Sequence, residues 1–275
     1  MAVSKLKPEG FERGKDPASE LAALVRRGAT VEARVVRLTE GEGGEPVWEV
    51  DFPGLPGVRG AVPHAEMGLP DPSLAARFVG QRVLVRVKHA NARAGLALCS
   101  RREAVAESAR AVLAKLKPGD TVDCVVKAVL PPGSGKPSRL LVDVGGGLLA
   151  EVPKREATWS QSAGLGELFR PGQATKAKVL SVDKEAGRVE VSLRQAQPDP
   201  WESAEFKSGD FVSGTVLGVD AERGIVFVEV LPGVVGITPP PLRGELRRGD
   251  RVSCAVAKFD REKRRLRLRL RSLLG

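Results

Sequence analysis

Gly209-Asp210-Phe211-Val212-Ser213-Gly214-Thr215-Val216 opens a pattern that the chain has already used twice, at Gly119-Asp120-Thr121-Val122-Asp123-Cys124-Val125-Val126 and at Gly28-Ala29-Thr30-Val31-Glu32-Ala33-Arg34-Val35. The starts lie 91 and 90 residues apart. Each opening leads into a valine-rich segment that ends in an acidic residue and Val or Phe. A glycine corner then runs into proline, and a second glycine-led segment is followed by a closing segment rich in Leu, Ser and Arg. The corners align as Gly57-Val58-Arg59-Gly60-Ala61-Val62-Pro63, Gly147-Leu148-Leu149-Ala150-Glu151-Val152-Pro153 and Gly233-Val234-Val235-Gly236-Ile237-Thr238-Pro239. A fixed period of this kind defines the folding unit before any local propensity is consulted. Within each unit the apolar residues alternate, as in Val122, Cys124 and Val126 or Val226, Val228 and Val230. That is the period of a strand with one buried face. Five such strands per unit predict three small β units of roughly 75 residues each. Units of that size are marginal alone and gain from packing on neighbours or on a partner.

The 275 residues carry a formal charge of +10, and residues 209–275 account for half of it. A basic pole suggests a polyanionic partner such as RNA or DNA. Cys99, Cys124 and Cys254 are isolated and odd in number, which supports neither a disulfide framework nor a zinc site. No apolar run approaches the length of a membrane span, and residues 1–16 are polar and mixed in charge, unlike a signal peptide. The expectation is a soluble, cytoplasmic protein with no membrane association.

Between the units, Asp16 and Pro17 predict a capped helix with Leu21, Leu24 and Val25 on one face, stopped at Gly28. Residues 1–15 lack apolar periodicity and read as disordered. Ser100 predicts a cap for a helix from Arg101 to about Leu116, ended by Pro118, that acts as a semi-rigid spacer. The second join, Gln195-Ala196-Gln197-Pro198-Asp199-Pro200-Trp201-Glu202, is proline-rich and is expected to be extended.

Several of these segments, in this order, resemble a known family. Gly119-Asp120 through Val142-Asp143-Val144, the corner to Val152-Pro153-Lys154-Arg155-Glu156, and Val182-Asp183-Lys184-Glu185-Ala186-Gly187-Arg188-Val189-Glu190-Val191-Ser192-Leu193-Arg194 are similar to the RNA-binding repeat of the bacterial small-subunit ribosomal protein S-one family. The joins Cys99-Ser100-Arg101-Arg102-Glu103 and Ser192-Leu193-Arg194-Gln195 followed by Asp199-Pro200-Trp201-Glu202 resemble its inter-repeat segments. The resemblance covers about residues 28–272. It implies an all-β chain of three tandem five-stranded antiparallel oligonucleotide-binding (OB) barrels, joined by a short helix and a proline-rich linker. The expected division is a tail and short helix at 1–27, barrels at 28–102, 119–194 and 209–272, and linkers at 103–118 and 195–208. It also implies single-strand binding on the face of the second and third strands and the loops beside it.

Barrels of this type stack bases on exposed aromatics while Lys and Arg follow the phosphates. On the second strand the stacking position is Glu49, Leu141 and Phe227 in the three repeats, and only Phe227 matches the family's aromatic. On the third strand the corresponding residues are Ala61, Glu151 and Ile237. Glu49 and Glu151 would repel phosphate, so the third repeat is expected to be the best equipped. Lys258, Arg261, Lys263, Arg264 and Arg265 crowd its last turn, where phosphate contact is the favoured reading. Arg267, Arg269 and Arg271 alternate with Leu266, Leu268 and Leu270 on one outward face, which suits either phosphate contact or a solvated strand protected from edge pairing. Further RNA-binding candidates are Lys136, Arg139, Leu141, Lys154 and Arg155 in the second repeat and Arg59 and His64 in the first.

Trp48 has the parity of Val50 and Phe52 and is expected in the core or at a barrel end, while Trp159 and Trp201 are expected in inter-strand and inter-repeat packing. Gly133-Ser134-Gly135-Lys136-Pro137-Ser138 superficially resembles a phosphate-cradling loop, but Pro137 follows Lys136, Leu130 takes the earlier glycine position, and a strand comes next instead of a helix. His64 and His89 are too far apart in sequence to suggest a metal site or an acid-base pair. No nucleophile, base and orienter can be assembled, so neither an enzyme, a cofactor nor a small-molecule substrate is expected. The leading expectation is a protein that binds single-stranded mRNA at the small ribosomal subunit. The alternative is an adaptor whose barrels mainly bind protein and link a ribosome, polymerase or RNA-decay complex to RNA.

Overall fold

The computed structural model describes residues 17–41, 43–133, 135–242 and 244–274. The chain divides into two compact units, residues 1–111 and 112–275. The cap expected at Asp16 and the tail at 1–15 lie outside the described residues.

In the first unit, α1 (Pro17–Arg27) buries Leu21. The strands β1 (Thr30–Glu40), β2 (Pro46–Asp51), β3 (Arg59–Pro63), β4 (Arg82–Asn91) and β5 (Leu96–Ser100) close into a barrel of order β1-β2-β3-β5-β4. Alternation places Val35, Val50, Val62, Val85 and Cys99 inside. Trp48 is fully buried, tilted against Phe78 at 5.3 Å, and its indole N–H donates to the Ala75 carbonyl at 2.9 Å. That bond satisfies the one polar atom of a large apolar residue, which is what allows it to fill a barrel end. The helix α2 (His64–Met67) follows β3, and α3 (Arg101–Lys115) follows β5 with Ser100 Oγ accepting from the Glu103 N–H at 3.0 Å.

The second unit holds two more sets of five strands. β6 (Thr121–Leu130), β7 (Arg139–Asp143), β8 (Leu149–Pro153), β9 (Ala174–Asp183) and β10 (Arg188–Ser192) form a sheet of order β10-β9-β6-β7-β8, with β8 and β10 approaching one another at the seam. The short helices α4 (Lys154–Ala157) and α5 (Leu165–Leu168) lie between β8 and β9. After α6 (Pro200–Ser203), the strands β11 (Phe211–Asp220), β12 (Ile225–Leu231), β13 (Val234–Thr238), β14 (Arg251–Asp260) and β15 (Arg265–Leu274) close into a barrel of order β11-β12-β13-β15-β14. Five short strands in this order are the OB arrangement.

Two expectations are corrected. The barrels are not antiparallel throughout, because β3 pairs with β5, and β13 with β15, in parallel. Successive strands reverse direction, so the third and fifth run the same way, and closure sets them side by side. The join before the third barrel is not simply extended: Asp199 caps the one-turn helix α6, accepting from the Trp201 N–H at 2.9 Å with Pro200 at the first helical position. Trp201 and Ala204 of this join are buried in the same core as Val216, Val228, Cys254 and Leu268. The three glycine corners adopt the same left-handed backbone, with φ of +81° at Gly57, +78° at Gly147 and +81° at Gly233. A side chain resists that conformation, which is why glycine recurs there.

All three cysteines are buried, and loss of solvent pushes the Cys99 thiol up to about 12. Thiols in such surroundings behave as small apolar groups.

Candidate nucleic-acid interface

Directly paired residues on neighbouring strands share a face of the sheet. In the third barrel this rule traces one outward row. Gly218 pairs with Phe227, Phe227 with Ile237, Ile237 with Arg267, and Arg267 with Lys258. Phe227 and Ile237 are 36% and 37% exposed, while Val226, Val228 and Thr238 beside them point inward and are buried. Arg267 and Lys258 are exposed and make no ion pair among the described residues. The row therefore sets an apolar platform beside two free cations, with no carboxylate between them. Such a surface can stack a flat ring and neutralise an anionic backbone at once.

The equivalent rows in the other barrels differ. Glu49 pairs across to Arg37 and Ala61 in the first, and its carboxylate lies 2.5 Å from Arg37 Nε and 3.4 Å from Arg59 Nη1. In the second, Leu141 pairs with Ala128 and Glu151, and Glu151 lies 3.0 Å from Arg139 Nε and 3.6 Å from Lys136 Nζ. Three of the expected RNA-binding cations, Arg59, Arg139 and Lys136, are thus partnered by carboxylates of their own barrel. Leu141 is only 1% exposed, which corrects its assignment as a contact residue. Strand parity assigns it to the outer face, but that face is covered at this point, so no base can reach it.

The basic turn of the third barrel also divides. Arg261 Nη2 donates to the Ala204 carbonyl at 2.9 Å and lies 3.4 Å from Glu205. Arg264 pairs with Asp199, the cap of α6. Both side chains hold the join to the turn, which corrects the expectation that the whole cluster faces phosphate. Arg264 has φ of +49°, where the matching residues of the other repeats are Gly95 at +64° and Gly187 at +66°. The side chain of this left-handed arginine reaches Asp199. Lys263, Arg265 and Arg269 remain exposed without an ion pair among the described residues. Lys154 donates through Nζ to the Gln161 carbonyl at 3.0 Å, Arg155 is exposed on α4, and His64 is half-buried at the start of α2.

A clamp absent from the sequence-based candidates joins the second and third barrels. Glu229 lies two positions beyond Phe227 on the same outward face of β12, yet it is 5% exposed. Its carboxylate accepts from Ser160 Oγ at 3.0 Å, from the backbone N–H groups of Gln161 at 2.8 Å, Ser162 at 2.9 Å and Gly233 at 2.9 Å, and from Ser162 Oγ. Burial by itself would raise its pKa. The bonds from Ser162 and from the backbone of Gly233 and Gln161 outweigh that and hold the carboxyl below the usual glutamate value. The clamp lays residues 160–162 against β12, and beside it is an open cleft of about 310 Å³ lined by Gln161, Leu217, Gly218, Phe227 and Val235. The equivalents of Glu229 are Asp51 and Asp143, and Asp143 caps its own turn, accepting from the Gly145 N–H at 2.9 Å. The one detectable signal was the longer glutamate at an otherwise aspartate position.

Trp201 and Trp159 seal the same junction. The Trp201 ring stacks on Phe259 at 6.0 Å and its Nε1 donates to the Gly233 carbonyl at 3.1 Å, while Arg194 sits over Trp159 at 4.8 Å.

Three tandem OB units, one of them with an exposed apolar platform at Phe227 and Ile237 beside exposed cations, define the class as a tandem OB-barrel protein. No family model matches the chain. Small ribosomal subunit protein bS1 of Streptococcus pneumoniae is 35% identical over 189 residues, 66% of this chain and 44% of that protein. The bS1 homolog of Bacillus cereus is 36% identical over 129 residues, 46% of this chain and 31% of its own length. For bS1 of Staphylococcus saprophyticus the figures are 30% over 216 residues, 76% and 50%. A 4-hydroxy-3-methylbut-2-enyl diphosphate reductase of Fusobacterium nucleatum is 34% identical over 126 residues, but only 14% of that enzyme is covered. Over the matched residues the chain is similar to bacterial small ribosomal subunit protein bS1. It spans half or less of the length of the curated bS1 relatives named here.

No helix among the described residues is long and apolar enough to cross a membrane. Among the same residues no group of three His, Cys, Asp or Glu side chains is placed to hold a metal ion.

Proposed function

We propose that this chain binds single-stranded RNA, mRNA foremost, in the cytoplasm and presents it to the small ribosomal subunit without catalysing a reaction. The observation that carries the reading is the outward row Phe227, Ile237, Arg267, Lys258 on the third barrel. Stacking on Phe227 supplies base affinity, and Lys258, Lys263, Arg265, Arg267 and Arg269 supply phosphate neutralisation. The second barrel supports the third through the Glu229 clamp, and its own cations Arg139 and Lys136 are partnered by Glu151. The similarity to small ribosomal subunit proteins favours the ribosome as the partner.

The test is a titration of the whole chain with single-stranded and duplex RNA of equal length over a range of salt. Tighter binding to the single strand is expected, with log K falling in proportion to log salt by about 0.7 per neutralised phosphate. Equal affinity for duplex, or no binding at low salt, would remove the reading.

A further inference from the structure

The cleft beside Phe227 is built by two barrels. Phe227, Leu217, Gly218 and Val235 come from the third, and Gln161 comes from the loop after α4 in the second. Glu229 and Phe227 stand two residues apart on one face of β12, hence roughly 7 Å from each other along the strand. Gln161 is bound to Glu229 through its own backbone N–H at 2.8 Å, so it is held within about one base of the Phe227 ring. Its carbonyl is occupied as well, by Lys154 Nζ at 3.0 Å. Both backbone groups are therefore fixed, while the exposed side-chain carboxamide has no hydrogen-bond partner among the described residues. The lining contains no charged side chain. That composition suits the flat ring of a base and not a phosphate.

We propose that this cleft takes one unpaired adenine, stacked on Phe227 and read at its edge by the Gln161 carboxamide. A carboxamide offers a donor and an acceptor side by side, the combination that pairs in bidentate fashion with N7 and the N6 amino group of adenine. The open side at Gly218 and the apolar floor of Leu217 and Val235 leave the ring plane free to lie on Phe227. Gln161 is then a specificity-determining residue, lent to the third barrel by the second. This assignment rests on the RNA-binding reading above and adds to it a base preference.

The experiment compares oligoadenylate and oligouridylate of equal length on the full chain, on Gln161→Ala and on Gln161→Glu. The parent should prefer oligoadenylate. Both variants should lower that preference by roughly 5- to 100-fold while binding oligouridylate as before. Gln161→Glu keeps the shape and an acceptor but loses the donor to N7, which separates edge reading from mere contact. Absence of binding to either oligonucleotide by the parent overturns both this assignment and the RNA-binding reading. Binding with an adenine-to-uridine ratio equal in all three proteins overturns the assignment alone.

Discussion

Glu229 accepts the backbone N–H of Gln161 at 2.8 Å, across 68 residues of chain and from one barrel to the next. Four further donors meet the same carboxylate, from Ser160, Ser162 twice and Gly233. Glu229→Ala would leave these donors without their acceptor around a position that is itself only 5% exposed. The expected loss is on the order of 3 kcal/mol in the unfolding of residues 112–275, read by urea denaturation with Trp159 and Trp201 fluorescence.

The same carboxylate predicts an acid response. Its native pKa lies below its ordinary value of 4.5, so the folded state favours the charged form. The stability it contributes is complete above pH 4.5 and is lost as pH falls through the depressed native value. Stability profiles of the parent and Glu229→Gln should differ most near neutral pH and converge in acid. A gap that does not narrow at all as pH falls below 4.5 would contradict the account.

Phe227→Ala should weaken single-stranded RNA binding by about 1–3 kcal/mol. Because the side chain is partly solvent-facing, the loss of fold stability should stay small. A calorimetric titration paired with a thermal melt separates the two effects. Leu141→Ala at the matching position should do the reverse and destabilise the fold by about 2–5 kcal/mol, since it empties a buried site.

The cations of the third barrel should sort into two groups. Reversal of Lys258, Lys263 and Arg267 to Glu is expected to flatten the salt dependence of binding, by about 0.7 per lost phosphate contact. Arg264→Gly should leave that slope unchanged, because Arg264 is engaged with Asp199. A flattened slope in Arg264→Gly would place that residue on the nucleic acid after all.

Gly233→Ala is expected to destabilise the junction by about 1–3 kcal/mol. The residue has φ of +81°, and a Cβ there would lie 2.9 Å from Trp159 Cβ. Urea denaturation of the variant checks it, and a neutral result would mean that the two barrels yield at this contact.

Much of the fold was readable along the chain because its signals are local. The repeat of Gly28, Gly119 and Gly209 marked the units, the alternation of valines marked the strands, and Asp199-Pro200 contained a cap and a first helical residue even though the join read as extended. The platform at Phe227 was readable for the same reason, since parity along one strand decides which way a side chain faces. Parity failed at Leu141 because it assigns a face without saying what lies on that face.

Charge was the least legible property. A count of lysines and arginines cannot tell Arg267, free on β15, from Arg264 on Asp199 or Arg139 on Glu151, because pairing depends on distance across strands and joins far apart in the sequence. The pairing of Glu229 with Gln161 was invisible to any local rule, because the two lie 68 residues apart in different repeats. Periodicity and turn chemistry, which act over a few residues, were enough to specify three β units, and the charge count alone marked the third as basic. Which cations stay free, which outer face is covered and which loop of one barrel borders the platform of the next were decided only when the chain closed on itself. Burial and hydrogen bonding at those points are properties of neighbours in space.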